Sequence, residues 1–292
     1  MAQFQWFPGH MAKTLRELKE LLKLCDLIIE VCDSRIVSSG RNPLIDELSS
    51  GKPRIIVLNK EDLADPQVSS LWLEQFKAAG EEAILLDARN ARQVKNLQNL
   101  SKKLCQAPIA RAKARGRRNY TARVLVLGIP NCGKSTLINS LVGKRKAETA
   151  NKPGVTRNLK WWKLGAELQL LDSPGLLWPK IDKRDQAIKL GACAAIKDEV
   201  MPRVELAGEL VLLLFKLYPM LKAEKFSLLA LDENDLAGMS KAEQANFYLE
   251  HIAKNYGFIQ HDGKSDLNRT AVFILKQFRS AKLGRLSLDW PS

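Results

Sequence analysis

Apolar residues in the first part of the chain occur in short continuous runs, and polar residues follow each run. Runs of this length are typical of strands that are buried on both faces of a parallel sheet. Stretches with apolar residues at helical spacing separate the runs, and such alternation of strand and helix is typical of an α/β fold. The predicted strands are residues 26–33, 53–58, 83–89, 122–127 and 166–171.

Helical periodicity fills most of the remaining sequence, and it dominates after about residue 180. Short loops between periodic Leu, Ala and Phe positions indicate a small helical bundle there. We therefore predict two domains: an α/β domain over residues 1–178 and an all-α domain over residues 179–292. The predicted helices are 11–24, 68–79, 93–105, 136–142, 185–197, 202–217, 225–231, 241–256 and 269–280.

The charge of the chain is strongly positive. Its 292 residues include 46 Lys and Arg against 32 Asp and Glu, a formal net charge of +14. Such an excess favours a polyanionic partner, although charge alone does not distinguish RNA from DNA or an anionic membrane. The stretch 101–123 contains eight basic residues and no acidic residue. It is interpreted as an RNA-facing segment or, alternatively, as a solvated linker.

The cysteines and the apolar runs indicate the compartment. Five cysteines lie in mostly apolar surroundings without C-x-x-C spacing, which favours reduced thiols over disulfides or zinc ligands. No apolar run approaches the roughly 20 residues of a membrane span, and the first residues lack the features of a signal peptide. We expect a cytoplasmic, monomeric protein without a membrane partner.

A phosphate-binding loop follows the predicted strand 122–127. The segment from Gly128 to Ser135 has the spacing G-x-x-x-x-G-K-S between a strand and a helix, which is the P-loop pattern. Its backbone N–H groups and Lys134 are expected to bind phosphates, and the Ser135 hydroxyl is expected to bind Mg²⁺. The predicted binding residues of this loop are Asn131, Cys132, Gly133, Lys134, Ser135 and Thr136.

A second motif, N-K-x-D, ends the predicted strand 53–58 and reads guanine in GTPases. The Asp62 carboxylate can accept the N1 and N2 hydrogens of guanine, a pair that adenine lacks. Asn59 can contact the O6 side of the base, and Lys60 can lie along the ring. Alone, the tetrapeptide could equally be a charged turn, but beside a P-loop it favours guanine recognition.

Three further segments complete a GTPase motif set. Asp87, Ala88 and Arg89 resemble the S-A-K loop that closes over guanine through a backbone N–H, with Asp87 in place of the usual serine. Thr156 lies in a Gly/Pro-containing loop, and residues 172–175 read D-x-x-G. We predict that Asp172 is linked to Mg²⁺, that Gly175 donates to the γ-phosphate, and that Thr156 closes over the metal. Residues 59–62 precede the P-loop here, whereas a conventional small GTPase has the opposite order.

The motif set in this rotated order resembles the circularly permuted GTPases and, among them, the ribosome biogenesis GTPase A family of bacteria. Further support comes from the F-P-G-H sequence that ends at His10 and from the Asp33-Ser-Arg35 segment. The resemblance implies a circularly permuted Ras-like P-loop GTPase domain, with a mostly parallel sheet and helices on both faces, followed by a helical RNA-contacting domain. Permutation is tolerable because every motif loop lies at the carboxyl end of a strand. The old termini would be joined by a linker at about residues 107–121.

The resemblance also implies a function and two further site residues. It implies a factor that binds the immature large ribosomal subunit and its rRNA, acts late in assembly, and hydrolyses GTP to GDP and phosphate faster when docked. Leu176 occupies the place of the water-orienting glutamine, and the resemblance points to His10 as the catalytic group. A helix cap or a surface residue is the alternative for His10. Asn131 matches a residue that helps to hold K⁺ in related GTPases.

Two other functions remain open from the sequence. The first is an RNA-binding assembly scaffold in which GTP stabilises the bound conformation and hydrolysis is incidental, because the water-orienting glutamine is missing. The second is a membrane-associated or stress-signalling GTPase, which the absence of an anchor disfavours. Turnover stimulated by large subunits would distinguish the timing GTPase from the scaffold.

Overall fold

A six-stranded sheet forms the centre of the protein. The structure is a computed structural model that describes residues 16, 18–49, 51–143, 161–172, 181, 183–196, 201–228 and 236–291. Its strands are β1 (Leu27–Asp33), β2 (Arg54–Asn59), β3 (Glu82–Leu86), β4 (Ala122–Gly128), β5 (Trp161–Leu164) and β6 (Leu168–Asp172). They are ordered β3-β2-β1-β4-β6-β5; all neighbours are parallel except β5 and β6, which are antiparallel.

Helices cover both faces of this sheet, as predicted. On one face, α5 and α6 pack on residues such as Leu27 and Val124. On the other face, α1 packs on Ile28, and α4 packs on Ile56. These strands are apolar on both sides because both sides are buried. The helices of this part are α1 (18–24), α2 (Val37–Gly40), α3 (Pro43–Leu48), α4 (Pro66–Ala78), α5 (Ala91–Ala114) and α6 (Lys134–Val142), with a 3₁₀ turn at Glu61–Leu63.

Helix α5 is longer than predicted, which corrects the position of the linker. The sequence predicts a helix over 93–105 and a linker at 107–121, but the helix continues through Pro108 to Ala114. Its buried positions include Cys105, Pro108, Ile109 and Ala112, so the apolar face continues past the proline at helical spacing. Packing against the sheet thus outweighs the backbone hydrogen bond that Pro108 cannot donate.

Two strands also differ from the prediction. The sequence predicts a strand to residue 89, but β3 ends at Leu86 and the next residues form a turn. Strand β5 is absent from the predicted set; it is four residues long and forms a hairpin with β6. So short an edge strand with one buried residue carries too weak a periodic signal to be recognised alone.

Five helices lie in the described residues of the carboxyl-terminal part, and α8 packs against α7, α10 and α11. The predicted helix at 225–231 is wrong over residues 225–228: the helix is one turn earlier, at Leu221–Glu224. Ser227 has a φ of 55°, in the left-handed region, and a right-handed helix cannot continue through it. No helix in the described part is both long and apolar enough to cross a bilayer. The helices are α7 (Arg184–Ala192), α8 (Arg203–Leu217), α9 (Leu221–Glu224), α10 (Lys241–Asn255) and α11 (Leu267–Arg279).

After α11, the chain returns to the sheet. The Leu288 N–H donates to the carbonyl of Arg35 at 2.7 Å. The buried Asp289 carboxylate accepts from the backbone N–H of Ser39 at 2.6 Å and pairs with Lys189 at 3.0 Å. These contacts attach the helical part beside the carboxyl end of β1. The predicted domain boundary at 178 and 179 lies outside the described residues.

Candidate guanine-nucleotide site

The predicted nucleotide motifs meet at one edge of the sheet. In the strand registers, Asp33 pairs with Asn59, Val31 with Gly128, and Val126 with Asp172. The carboxyl ends of four neighbouring strands therefore lie together, where ligands bind in open α/β sheets. A cavity of about 420 Å³ opens at this edge. Its lining residues are Arg35, Asn59, Lys60, Asp62, Leu63, Asp87, Ala88, Arg89, Asn131, Gly133, Thr136, Cys193, Ala194 and Arg279.

The P-loop joins β4 to α6, and α6 begins at Lys134. Gly133 has a φ of 95°, and a Cβ atom there would lie 2.1 Å from Asn59 Nδ2. Only glycine fits both the backbone conformation and this approach. Ser135 and Thr136 are exposed in the first turn of α6, where backbone N–H groups favour an anion.

Asn59 joins the P-loop to the turn after β3. It is 1% exposed; its Nδ2 donates to the carbonyl of Cys132 at 2.8 Å, and its Oδ1 accepts from the backbone N–H of Ala88 at 3.0 Å. Both ends of the amide thus bind the protein. Contact of Asn59 with the O6 side of guanine stays a prediction, and the observed role is to hold three loops together.

The predicted guanine-reading carboxylate contacts Arg89. Arg89 Nη2 donates to Asp62 Oδ2 at 2.6 Å, and Arg89 Nε donates to Asp87 Oδ1 at 2.9 Å. The hydrogen bond from Arg89 lowers the pKa of Asp87. A guanidinium group presents N–H donors much as the N1 and N2 edge of guanine does. Arg89 therefore occupies one oxygen of the carboxylate that guanine is predicted to bind.

At the phosphate end, Lys134 forms an ion pair with Asp172. The predicted phosphate-binding ammonium thus contacts the predicted metal-linked carboxylate. The Ser135 hydroxyl and the Asp172 carboxylate are oxygen donors, which suit Mg²⁺, and the contact with Lys134 shows that Asp172 accepts a cation here. Among the described residues, no group of three or more His, Cys, Asp or Glu could hold a metal by itself. Mg²⁺ usually uses one or two protein oxygens together with phosphates and water, so this donor set fits.

Asn131 and Cys132 contribute in different ways. Asn131 is exposed, has a φ of 59°, and its Nδ2 donates to the carbonyl of Ala194 at 2.6 Å. It therefore contacts the residues after α7, and its predicted K⁺ contact is a proposal. The Cys132 side chain is 1% exposed, and burial raises the pKa of its thiol to about 11. The contact of Cys132 with the site is made by its backbone.

Three predicted site residues lie outside the described residues: His10, Thr156 and Gly175. Their roles as catalytic group, metal ligand and γ-phosphate donor stay predictions.

The structure adds residues for which the sequence suggested no role. Arg35 and Asp33 lie at the end of β1, and Cys193, Ala194 and Arg279 reach the cavity from the helical part. The position of Asp33 at the end of a buried strand, like that of Asn59, is a signal that could have identified it. Arg279 donates to the carbonyls of Gly191 and Ala192 at 2.8 and 2.9 Å, so this cation binds backbone near the site. No local pattern indicates that placement.

Comparisons with known proteins cover nearly the whole chain. Residues 123–248 match the protein family described as 50S ribosome-binding GTPase. The chain is 40% identical to ribosome biogenesis GTPase A of Priestia megaterium, over 99% of this chain and 97% of that protein. It is 32% identical to mitochondrial ribosome-associated GTPase 1 of Mus musculus, over 98% of this chain and 90% of that protein.

Two solved structures also match nearly the whole chain. GDP-bound YlqF matches with a TM-score of 0.66 and 25% identity, covering 94% of this chain and 99% of that one. GNP-bound YlqF from T. maritima matches with a TM-score of 0.64 and 25% identity, covering 96% and 99%. The predicted fold class is thereby confirmed.

Proposed function

Because the chain belongs to the ribosome biogenesis GTPase A family, and is thus a GTPase of ribosome biogenesis, we propose that it acts on the immature large (50S) ribosomal subunit. In this proposal it binds the particle in the GTP state, promotes a late assembly step in the cytoplasm, and leaves after hydrolysis. The observation that carries the nucleotide part is the convergence of the N-K-x-D loop and the P-loop. They are far apart in the chain, yet Asn59 bonds Cys132 and Lys60 bonds the carbonyl of Asn131.

Exposed positive charge supports an rRNA partner. The outer face of α5 and the loop after it carry basic side chains, without an acidic residue between positions 101 and 123. Such a face can neutralise several phosphates, which makes binding dependent on salt. The exposed basic residues are Lys103, Arg111, Lys113, Arg115, Arg117 and Arg118.

The metal and catalytic parts of the proposal concern named residues. Ser135, Thr156 and Asp172 would hold Mg²⁺, which supplies positive charge to the phosphates when it is bound. Asn131 would contribute to a K⁺ site beside them. His10 would orient the attacking water in place of the missing glutamine.

The test is GTP turnover by the purified protein in K⁺ buffer, with and without large subunits. We expect strong stimulation by large subunits and none by small subunits at the same concentration. His10→Ala should lose the stimulation while it retains GTP binding, and exchange of K⁺ for Na⁺ should lower turnover. Co-sedimentation with the large subunit without stimulation would favour the assembly scaffold instead.

A further inference from the structure

Asp33 contacts the lysine of the N-K-x-D motif. It is the last residue of β1 and pairs in register with Asn59, the last residue of β2. Its side chain is 2% exposed, and its Oδ2 accepts from Lys60 Nζ at 3.0 Å. A buried carboxylate at the base end of the site thus contacts a residue that is predicted to lie along guanine.

Lys60 is held from two sides. Its ammonium group also donates to the carbonyl of Asn131 in the P-loop. Its backbone has a φ of 60°, which places a non-glycine residue in the left-handed region. A lysine side chain has four rotatable bonds and loses considerable entropy when it is fixed. The two contacts therefore fix Lys60 across the cavity.

Arg35 in turn fixes Asp33. Arg35 Nε and Nη2 donate to the two carboxylate oxygens at 2.9 and 2.8 Å, a bidentate geometry that holds the carboxylate plane. Burial opposes ionisation of Asp33, but the charges and hydrogen bonds of Arg35 and Lys60 outweigh it and lower the pKa of Asp33 to about 2. The carboxylate is therefore charged at neutral pH and able to bind Lys60.

Arg35 also contacts the carboxyl-terminal part. Its guanidinium carbon lies 5.2 Å from the centroid of the Phe278 ring, and its carbonyl accepts from the N–H of Leu288 at 2.7 Å. The partly exposed Lys60 and the buried Asp33 and Arg35 thus form a series of charge contacts from the base end of the cavity to α11 and the segment after it. Two roles fit this series of contacts: attachment of α11, or positioning of Lys60.

We propose that Asp33 is a positioning residue for guanine nucleotides, which holds Lys60 along the base and is itself held by Arg35. The inference rests on the guanine site of the proposed function. It assigns part of the nucleotide affinity to a residue that does not touch the nucleotide. It also makes the contacts of Arg35 with Phe278 and Leu288 a route by which the helical part supports base binding.

A double-mutant cycle tests the proposal. Binding of fluorescent mant-GDP is measured for the unaltered protein, Asp33→Asn, Lys60→Ala and the double variant. Loss of an ordered charge contact should weaken binding about tenfold in Asp33→Asn. In the Lys60→Ala background, Asp33→Asn should have almost no further effect on binding, because the ammonium group that Asp33 binds has been removed. Independent effects that multiply, or unchanged affinity in Asp33→Asn, would overturn the role.

Base selectivity provides a second readout, which distinguishes an effect of Asp33 through Lys60 from an effect through Asp62. IDP lacks the exocyclic N2 group that Asp62 is predicted to bind. If Asp33 acts through Lys60, Asp33→Asn should weaken GDP and IDP by the same factor. A collapse of the GDP preference would show that Asp33 acts through Asp62, and it would overturn the assignment to Lys60.

The matched control is Asp26→Asn. Asp26 precedes the same strand at its opposite end, where it accepts from Tyr120 and from the N–H of Arg123. The Asp26→Asn variant should have a lower unfolding temperature and an unchanged GDP affinity.

If Asp33→Asn does not fold, Arg35→Lys replaces it in the cycle, because lysine keeps the charge but loses the bidentate contact. Failure of the unaltered protein to bind mant-GDP would overturn the nucleotide site itself, whereas tight binding with multiplying effects overturns only the role of Asp33.

Discussion

The base end and the phosphate end of the site differ in how far the protein alone completes them. At the base end, Asn59 bonds two loops, and Lys60 is held by Asp33 and Asn131. At the phosphate end, Lys134 forms an ion pair with Asp172, so the group predicted to bind phosphate binds the group predicted to bind metal. The base end is thus held together by contacts within the protein, while at the phosphate end the two predicted ligand-binding groups form an ion pair that competes with phosphate and metal.

This difference follows from where the residues are attached. Asp33 ends a fully buried strand and Asn59 ends a strand that is buried except at its first residue, and the core fixes their backbones. Preformed contacts lower the cost of ordering on binding, which favours selectivity for one base. Lys134 and Asp172 are opposite charges whose pairing competes with phosphate and metal. A site built in this way selects the base with its rigid end and responds to the phosphates with its exchangeable end.

The largest expected effect comes from Asp62→Asn at the base end. Asparagine cannot accept both N–H groups of guanine, but it can accept one and donate to the C2 carbonyl of xanthine. We expect GDP affinity to fall about a thousandfold and XDP affinity to rise. Competition against mant-GDP or mant-XDP measures both. Asp46→Asn, an exposed carboxylate paired with Arg41 and Arg54, is the control and should change neither. An equal loss for both nucleotides would contradict the base-reading role.

A smaller effect is expected from Asp172→Asn at the phosphate end. Without Mg²⁺, the variant releases Lys134 from its ion pair, so a non-hydrolysable GTP analogue should bind about tenfold more tightly than to the unaltered protein. With Mg²⁺, the advantage should disappear, because the predicted metal-linked carboxylate is missing. Titrations in EDTA and in Mg²⁺ measure this reversal. Weaker binding in both buffers would mean that the ion pair does not compete with the phosphates.

Arg89→Ala should have a smaller effect again, at the base end. Arg89 contacts Asp62 but its side chain is 67% exposed, and exposed ion pairs contribute little. We expect mant-GDP to associate about twofold to threefold faster, because Asp62 no longer has to release Arg89. Stopped-flow fluorescence measures the rate. The matched control is Arg92→Ala, an exposed arginine at the start of α5. Slower association would show that Arg89 assists the nucleotide instead of competing with it.

A contrast between local patterns and contacts of distant segments explains which features the sequence predicted. The strands, the P-loop and the N-K-x-D motif are local patterns. In the structure, Asn59 and Asp62 line one cavity and Lys134 begins α6, while their roles in nucleotide binding stay predictions. Contacts between distant segments left no such pattern. The lining of the cavity by Arg279 and the ion pair of Lys134 with Asp172 both depend on packing. The predicted helix ends at residue 105, but α5 continues through Pro108 to Ala114 because tertiary contacts outweigh a local preference.

The smallest expected effect is on the reactivity of the thiols. It tests whether the junction between the two ends, which is the hydrogen bond from Asn59 to the carbonyl of Cys132, is closed. Cys132 lies in the P-loop, its carbonyl accepts from Asn59, and its thiol is 1% exposed. Burial raises the pKa of Cys132 to about 11, that of Cys25 to about 11, and that of Cys193 to about 12. All five cysteines are free and buried.

With a thiol reagent such as DTNB, we expect essentially no reaction of the native protein near neutral pH. In guanidinium chloride, all five thiols should react. Because the pKa values are raised, the thiolate fraction stays small even at pH 9, so the native reaction should remain far slower than that of an exposed thiol at both pH 7 and pH 9. Cys132→Ser identifies the signal from the P-loop. A fast phase that disappears in this variant and in the presence of GDP would mean that the junction opens without nucleotide, and the base end would then be no more preformed than the phosphate end.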